Sequence, residues 1–136
     1  MNSIELLKRH EGFRKHPYLC TAGKLTVGYG RNLEAVGISE DEATYLLERD
    51  VMWAMAHLRR EPYWAGLNEP RQAVLINMVF NLGWAGFSKF RRMLDNVRAG
   101  DYGSAAEEML DSTWAEQVKG RARELAAIMR TGEWVE

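Results

Sequence analysis

Apolar residues at Ile4, Leu6 and Leu7 keep a helical period until Gly12 interrupts it, and Asn2 or Ser3 stands where a helix cap is needed. Glu11 therefore falls at the C-terminal end of a first helix. From Phe13 to Tyr29 the period changes. The run "YLCTAGKLTVGYG" is rich in β-branched, aromatic and glycine residues and carries a turn signal at Thr21-Ala22-Gly23, which predicts a short β-hairpin. Gly28 and Gly30 weaken a strand but let a backbone approach a ligand closely. Ser39 and Glu42 form a capping-box pattern, and Ala43, Leu46, Leu47, Val51, Ala54, Met55 and Leu58 follow as one apolar stripe, predicting a helix over 40–60. Beyond it, Asn68 and Pro70 open "RQAVLINMVFNLG", whose nearly continuous hydrophobicity marks a buried helix. Further helices are expected over Phe87 to Arg98, from Asp101 or Tyr102 to Leu110, and over Gly120 to Arg130, with glycines between them. The pattern is α+β, mainly α, with one small sheet near the N-terminus.

Composition adds bounds. A chain of 136 residues with 46% hydrophobic and 27% charged content is suited to one core, and three prolines with no linker or repeat give no sign of separable domains. The longest uncharged stretch, Gln72 to Ser88, is interrupted by Asn77, Asn81 and glycines, so no membrane insertion is expected. Charge at Glu5, Lys8 and Arg9 removes the apolar run of a secretory signal, and the expected compartment is a cytosol. A single cysteine makes no internal disulfide, and with His10, His16 and His57 scattered along the chain neither a metal nor a cofactor is expected. The formal net charge of −1 argues against nucleic acid as a partner. Two basic clusters, Lys89 with Arg91, Arg92 and Arg98, and Lys119 with Arg121, Arg123 and Arg130, are either solvated helix faces or the lining of a site for an anionic polymer.

The candidate chemistry lies near the N-terminus. Hairpin strands run about 4.8 Å apart, and Cys20 and Thr26 are both three residues from Gly23, so the hairpin is expected to set them face to face. With the Glu11 carboxyl arriving from the preceding helix, three groups could flank one substrate atom. Glycoside hydrolysis needs such a set: an acid for the leaving oxygen and, across the sugar, a group that activates or stabilises. On spacing and residue type alone, the same residues read more readily as a solvated glutamate, a small buried hydrophobe and a strand former.

The spacing of Glu11, Cys20 and Thr26 resembles the catalytic pattern of the T-even type phage lysozymes, glycoside hydrolase family 24, in which the middle residue is aspartate or, in some members, cysteine. The block "EGFRKHPYLCTAGKLTVGYG" and the segments "RQAVLINMVFNLG", "GFSKFRRML" and "RARELAAIMRTGEW" extend the resemblance over essentially the whole chain. It implies a single lysozyme-like domain: a small β lobe over about 13–38, a connecting helix over 40–60, and a helical lobe over 60–136 that includes the helix at 3–11. A groove lies between the lobes. It also implies a monomeric muramidase of the endolysin type that cleaves the β-1,4 bond from N-acetylmuramic acid to N-acetylglucosamine, held in the host bacterial cytoplasm until lysis. By the same resemblance, Glu11 is the general acid and Arg121 the arginine that reaches back to it, so that partial burial, which raises the Glu11 pKa, and Arg121, which lowers it, are expected to compete. Thr26 helps hold the attacking water, and Leu33 and Phe80 line the sugar site. At Cys20 an ordinary thiol would be only about 3% thiolate at pH 7. The residue could be a poised thiolate in an inverting route, a nucleophile in a retaining one, or a spectator. Arg31 replaces a histidine common in the family, a change expected to bear on packing. The segment from Asn32 to Ser39 is much shorter than in well-known members. Lytic transglycosylation and inactive glycan binding are the alternatives on the same fold.

Overall fold

A computed structural model describes residues 1–135. The chain divides into two compact units, one from Met1 to Leu46 and the other from Leu47 onward.

In the first unit, α1 (Ser3–Glu11) begins in a reciprocal capping box: Asn2 Oδ1 accepts from the Glu5 amide at 2.9 Å, and Glu5 Oε2 accepts from the Asn2 amide at 2.9 Å. The helix ends where Gly12 takes φ 71° and donates its N–H to the Lys8 carbonyl. Three antiparallel strands follow in spatial order, β1 (Arg14–Leu19), β2 (Leu25–Gly28) and β3 (Arg31–Asn32). The third strand escapes a periodicity reading because two residues carry no period. It is defined by its partners alone, Val27 opposite Arg31 and Thr26 opposite Asn32.

The hairpin register differs from the expected one. Leu19 pairs with Leu25 and Tyr18 with Thr26, while the Cys20 amide donates to the Lys24 carbonyl at 2.9 Å and the Gly23 amide to the Cys20 carbonyl at 2.8 Å. The turn is thus centred on Ala22, one residue earlier than Gly23, and Cys20 faces Lys24. Cys20 and Thr26 remain on one face because the side-chain period of a strand is two, so they are diagonal neighbours and not direct partners. Along β1 the pairing shifts between Arg14 and Tyr18. Pro17 lies in that interval and has no N–H to donate, which suits the edge position of β1.

The helix α2 (Glu40–Leu58) starts in the Ser39–Glu42 box: the Ser39 amide donates to Glu42 Oε1 at 2.9 Å, and the Glu42 amide to Ser39 Oγ at 3.1 Å. It stops two residues short of the expected Arg60, where i to i+3 hydrogen bonds from Arg60 and Glu61 tighten the last turn.

The second unit holds the hydrophobic core. Leu58, Val74, Leu75, Met78, Phe87, Met109 and Met129 are fully buried there, whereas Thr26 is the one buried residue among the described residues of the first unit. The buried helix α3 (Glu69–Ser88) opens at Asn68, whose side chain accepts from the Arg71 amide at 3.1 Å, and it bends at Gly83, φ 75° and ψ 165°. A helix over Phe87 to Arg98 is therefore not found. α3 resumes after the bend, carried by burial of Phe87, and the break falls at Lys89 and Phe90, before α4 (Arg91–Arg98). The helices α5 (Tyr102–Leu110) and α7 (Gly120–Thr131) lie close to their expected bounds. Between them α6 (Thr113–Val118) was not anticipated. It is a six-residue helix capped by Ser112 and anchored by buried Trp114, whose indole donates to Asn81 Oδ1 at 2.7 Å. Arg71 ties α3 to α7: its Nε donates to the Met129 carbonyl at 2.8 Å, and its guanidinium lies 3.8 Å from the Tyr102 ring centre. No helix among the described residues is long and apolar enough to cross a membrane.

Candidate active site

Three groups of candidate residues can be placed, two in the first unit and one divided between the units. The first is Glu11. It is the last residue of α1, and its side chain lies against Gly30 in the β2–β3 turn. A Cβ on Gly30 would come within 2.6 Å of Glu11 Oε2 and 2.9 Å of its Cδ. Gly30 also takes φ 74°, so glycine is required here twice over, by conformation and by space. Tyr29 strengthens this seating, with Lys8 Nζ 5.4 Å from its ring centre and the Phe13 ring at 5.7 Å. The partial burial expected of Glu11 is not found. The residue is exposed, because it ends its helix and the neighbour beneath it has no side chain to cover it.

The second group is Cys20 with Thr26. Thr26 is 3% exposed and donates Oγ1–H to the Lys24 carbonyl at 2.9 Å, while Cys20 is half-buried at the end of the same hairpin. The Lys24 and Ala22 amides, with a smaller part from the Thr26 hydroxyl, hold the Cys20 thiol below its ordinary range, and desolvation works against them. A hydroxyl has one proton. Directed at Lys24 in the thiol form, it can turn towards sulfur as the thiolate forms.

The remaining predicted residues fall in both units. Leu33, half-buried and anchored by its amide to the Leu25 carbonyl at 2.8 Å, lines a cavity of about 590 Å³ in the first unit with Val27, Tyr29, Ile38 and Tyr45. Phe80 and Arg121 share a cavity of about 280 Å³ in the second unit with Val51 and Asn77, and Arg121 Nε donates to Asn77 Oδ1 at 2.9 Å. Phe80 is 48% exposed, a large ring left uncovered directly after buried Met78 and Val79. The first basic cluster divides. Lys89, Arg91 and Arg92 line a cavity of about 660 Å³ with Trp114, Glu108 and Asp111, whereas Arg98 pairs with Asp95 at 3.0 Å.

Sequence reasoning missed Asn77, which positions Arg121, and gave Gly30 no specific partner. An asparagine side chain set among apolar residues of one helix was the available signal for the first. Arg31 does bear on packing. Its guanidinium donates to the Gly37 carbonyl at 3.2 Å and to both oxygens of Glu42, which ties β3 to the start of α2.

An acid at a helix end beside a hairpin bearing thiol and hydroxyl, on a mainly helical chain with a small antiparallel sheet, is a lysozyme-like α+β arrangement. The chain belongs to the phage lysozyme family, whose profile matches residues 8–131, and so to the glycoside hydrolases. It is similar to the pre-baseplate central spike protein Gp5 of Enterobacteria phage T4, 34% identical over 161 aligned residues that cover 97% of this chain and 28% of that protein. It is also similar to an endolysin of Acyrthosiphon pisum secondary endosymbiont phage 1, at 29% identity over 93% of this chain and 87% of that one. A probable T4-type lysozyme 1 of Dictyostelium discoideum is 27% identical, with 94% and 93% covered. The chain thus spans little more than a quarter of the spike protein and most of the other two.

Proposed function

We propose that the protein is a muramidase of the endolysin type, which hydrolyses the β-1,4 bond between N-acetylmuramic acid and N-acetylglucosamine in peptidoglycan and awaits release in the host cytoplasm. The observation that carries this reading is the seating of Glu11 on Gly30. A carboxyl fixed at a helix end, exposed and without a covering side chain, is available to a glycosidic oxygen. Glu11 gives its proton to the leaving oxygen. Cys20 and Thr26 hold a water that attacks the anomeric carbon, with the amide-stabilised sulfur taking up the water's proton, and the configuration inverts. By the family resemblance, Leu33 of the first unit and Phe80 and Arg121 of the second contribute to substrate binding, with Arg121 held by Asn77.

The test is clearing of purified peptidoglycan by the wild type beside folded Glu11→Gln, with new reducing ends quantified and the product anomer read by NMR. Clearing by the wild type alone, with inverted product, is expected. A 1,6-anhydro end would replace hydrolysis by transglycosylation. Binding without clearing in both proteins would leave only an inactive module.

A further inference from the structure

The outer face of α2 within the second unit is built unlike a solvated helix face. Its inner stripe, Ala54 and Leu58, is committed to the core, yet Met52 is 63% and Trp53 51% exposed on the opposite side. Trp53 packs edge-on to His57 at 4.6 Å, His57 stacks on Trp84 at 4.9 Å with 23° between planes, and Trp84 meets buried Phe87 at 5.5 Å. Trp84 follows directly on the Gly83 bend, so the kink in α3 delivers this ring to the row. The result is a fixed line of rings, anchored at one end in the core and open at Trp53.

Charge on the helix face around the row is mixed, with exposed Glu48 one turn before Met52 and exposed Asp50 one turn before Trp53 beside three arginines. Arg49 stands one turn before Met52 and Trp53, exposed Ala56 completes the face, and exposed Arg59 and Arg60 follow the end of the helix. None of the three arginines is in an ion pair among the described residues. Flat, pre-positioned aromatic faces suit the C–H faces of pyranose rings, and unpaired guanidinium groups suit carboxylates.

We propose that the row from Trp53 to Trp84, with Arg49, Arg59 and Arg60, is a second surface that holds a peptidoglycan strand away from the bond being cut. The inference rests on the muramidase reading for the identity of the polymer. A sugar ring stacks on Trp53, while the arginines meet carboxylates of muramyl groups and stem peptides.

The test is co-sedimentation of Glu11→Gln protein with insoluble sacculi, with and without Trp53→Ala, Trp53→Phe and Arg49→Ala, beside hydrolysis of a soluble, peptide-free glycan oligomer by the same substitutions on native Glu11. Sedimentation is expected to weaken roughly three- to tenfold in Trp53→Ala and to recover in Trp53→Phe. Oligomer turnover is expected to stay within about twofold. Sedimentation untouched by Trp53→Ala would overturn the surface, as would Trp53-dependent binding to anionic phospholipid vesicles or a dimer that Trp53→Ala dissociates. Absence of clearing with Trp53-dependent sedimentation intact would remove the muramidase reading and leave the surface standing.

Discussion

At the scale of single residues, the hairpin end is where small groups decide chemistry. Gly30→Ala would force a Cβ into the Glu11 carboxyl and place a side chain at φ 74°. We expect about 1–2 kcal/mol of lost stability and a fall in kcat/KM of roughly tenfold or more as the acid is displaced. Chemical denaturation beside reducing-end assays checks both, and an active Gly30→Ala would show that the seating is incidental. Cys20 supplies a pH dependence. Its folded pKa lies below the unfolded value, so any stability it adds is present above the unfolded pKa and is lost as pH falls through the folded one. The rate of alkylation should accordingly reach its half-maximum at lower pH in the folded than in the urea-unfolded protein, and labelling should depress clearing. Tyr63 is a third case. It is 8% exposed, its hydroxyl has no hydrogen-bond partner among the described residues, and burial, with Glu61 adding and Arg98 opposing, pushes the phenol well above its ordinary range. Removing an unsatisfied buried group should help, so Tyr63→Phe is expected to raise stability by about 1 kcal/mol in urea titrations.

At the scale of elements, caps and breaks explain which parts of the chain could be read in advance. The starts of α1 and α2 were legible because a helix cap is a local signal, a side chain bonded to an amide three residues away. The Gly83 bend was visible as a glycine, but the continuation of α3 beyond it depends on burial of Phe87, which no local pattern states. The short α6 depends likewise on Trp114 reaching Asn81, 33 residues away in the chain. Asn68 joins both kinds of information. It caps α3 locally, and its Nδ2 donates to the Gly132 carbonyl at 2.9 Å, 64 residues on. Asn68→Ala loses both bonds and should cost about 1–3 kcal/mol by denaturant titration, more than a cap alone.

At the scale of the molecule, the hydrophobic core lies in the second unit, while the first relies on caps, turns, Arg31 with Glu42, and Lys24 with Glu34. Exposed ion pairs of this kind contribute little each. Native-state hydrogen exchange should therefore find the slowest amides in α3, α5 and α7 and much faster exchange across β1 to β3. Equal protection in the sheet would contradict this. A lightly held first unit also fits the placement of the candidate residues Glu11 and Cys20 on a helix end and a turn, which sit at the low-stability end of most folds.

The amino-acid sequence by itself determined the mainly helical class, the N-terminal hairpin, the caps, and the likeness to the phage lysozymes. Each of these rests on residue types at short, regular spacings, where geometry follows from the chain's own period. Tertiary structure alone decided the register that makes Cys20 and Thr26 diagonal neighbours, the seating of Glu11 on Gly30, the bond from Arg121 to Asn77, and the row from Trp53 to Trp84. Those depend on a turn closing one residue earlier than its glycine suggests, and on side chains distant in sequence meeting where burial and hydrogen bonding satisfy both. A local period carries no record of such meetings.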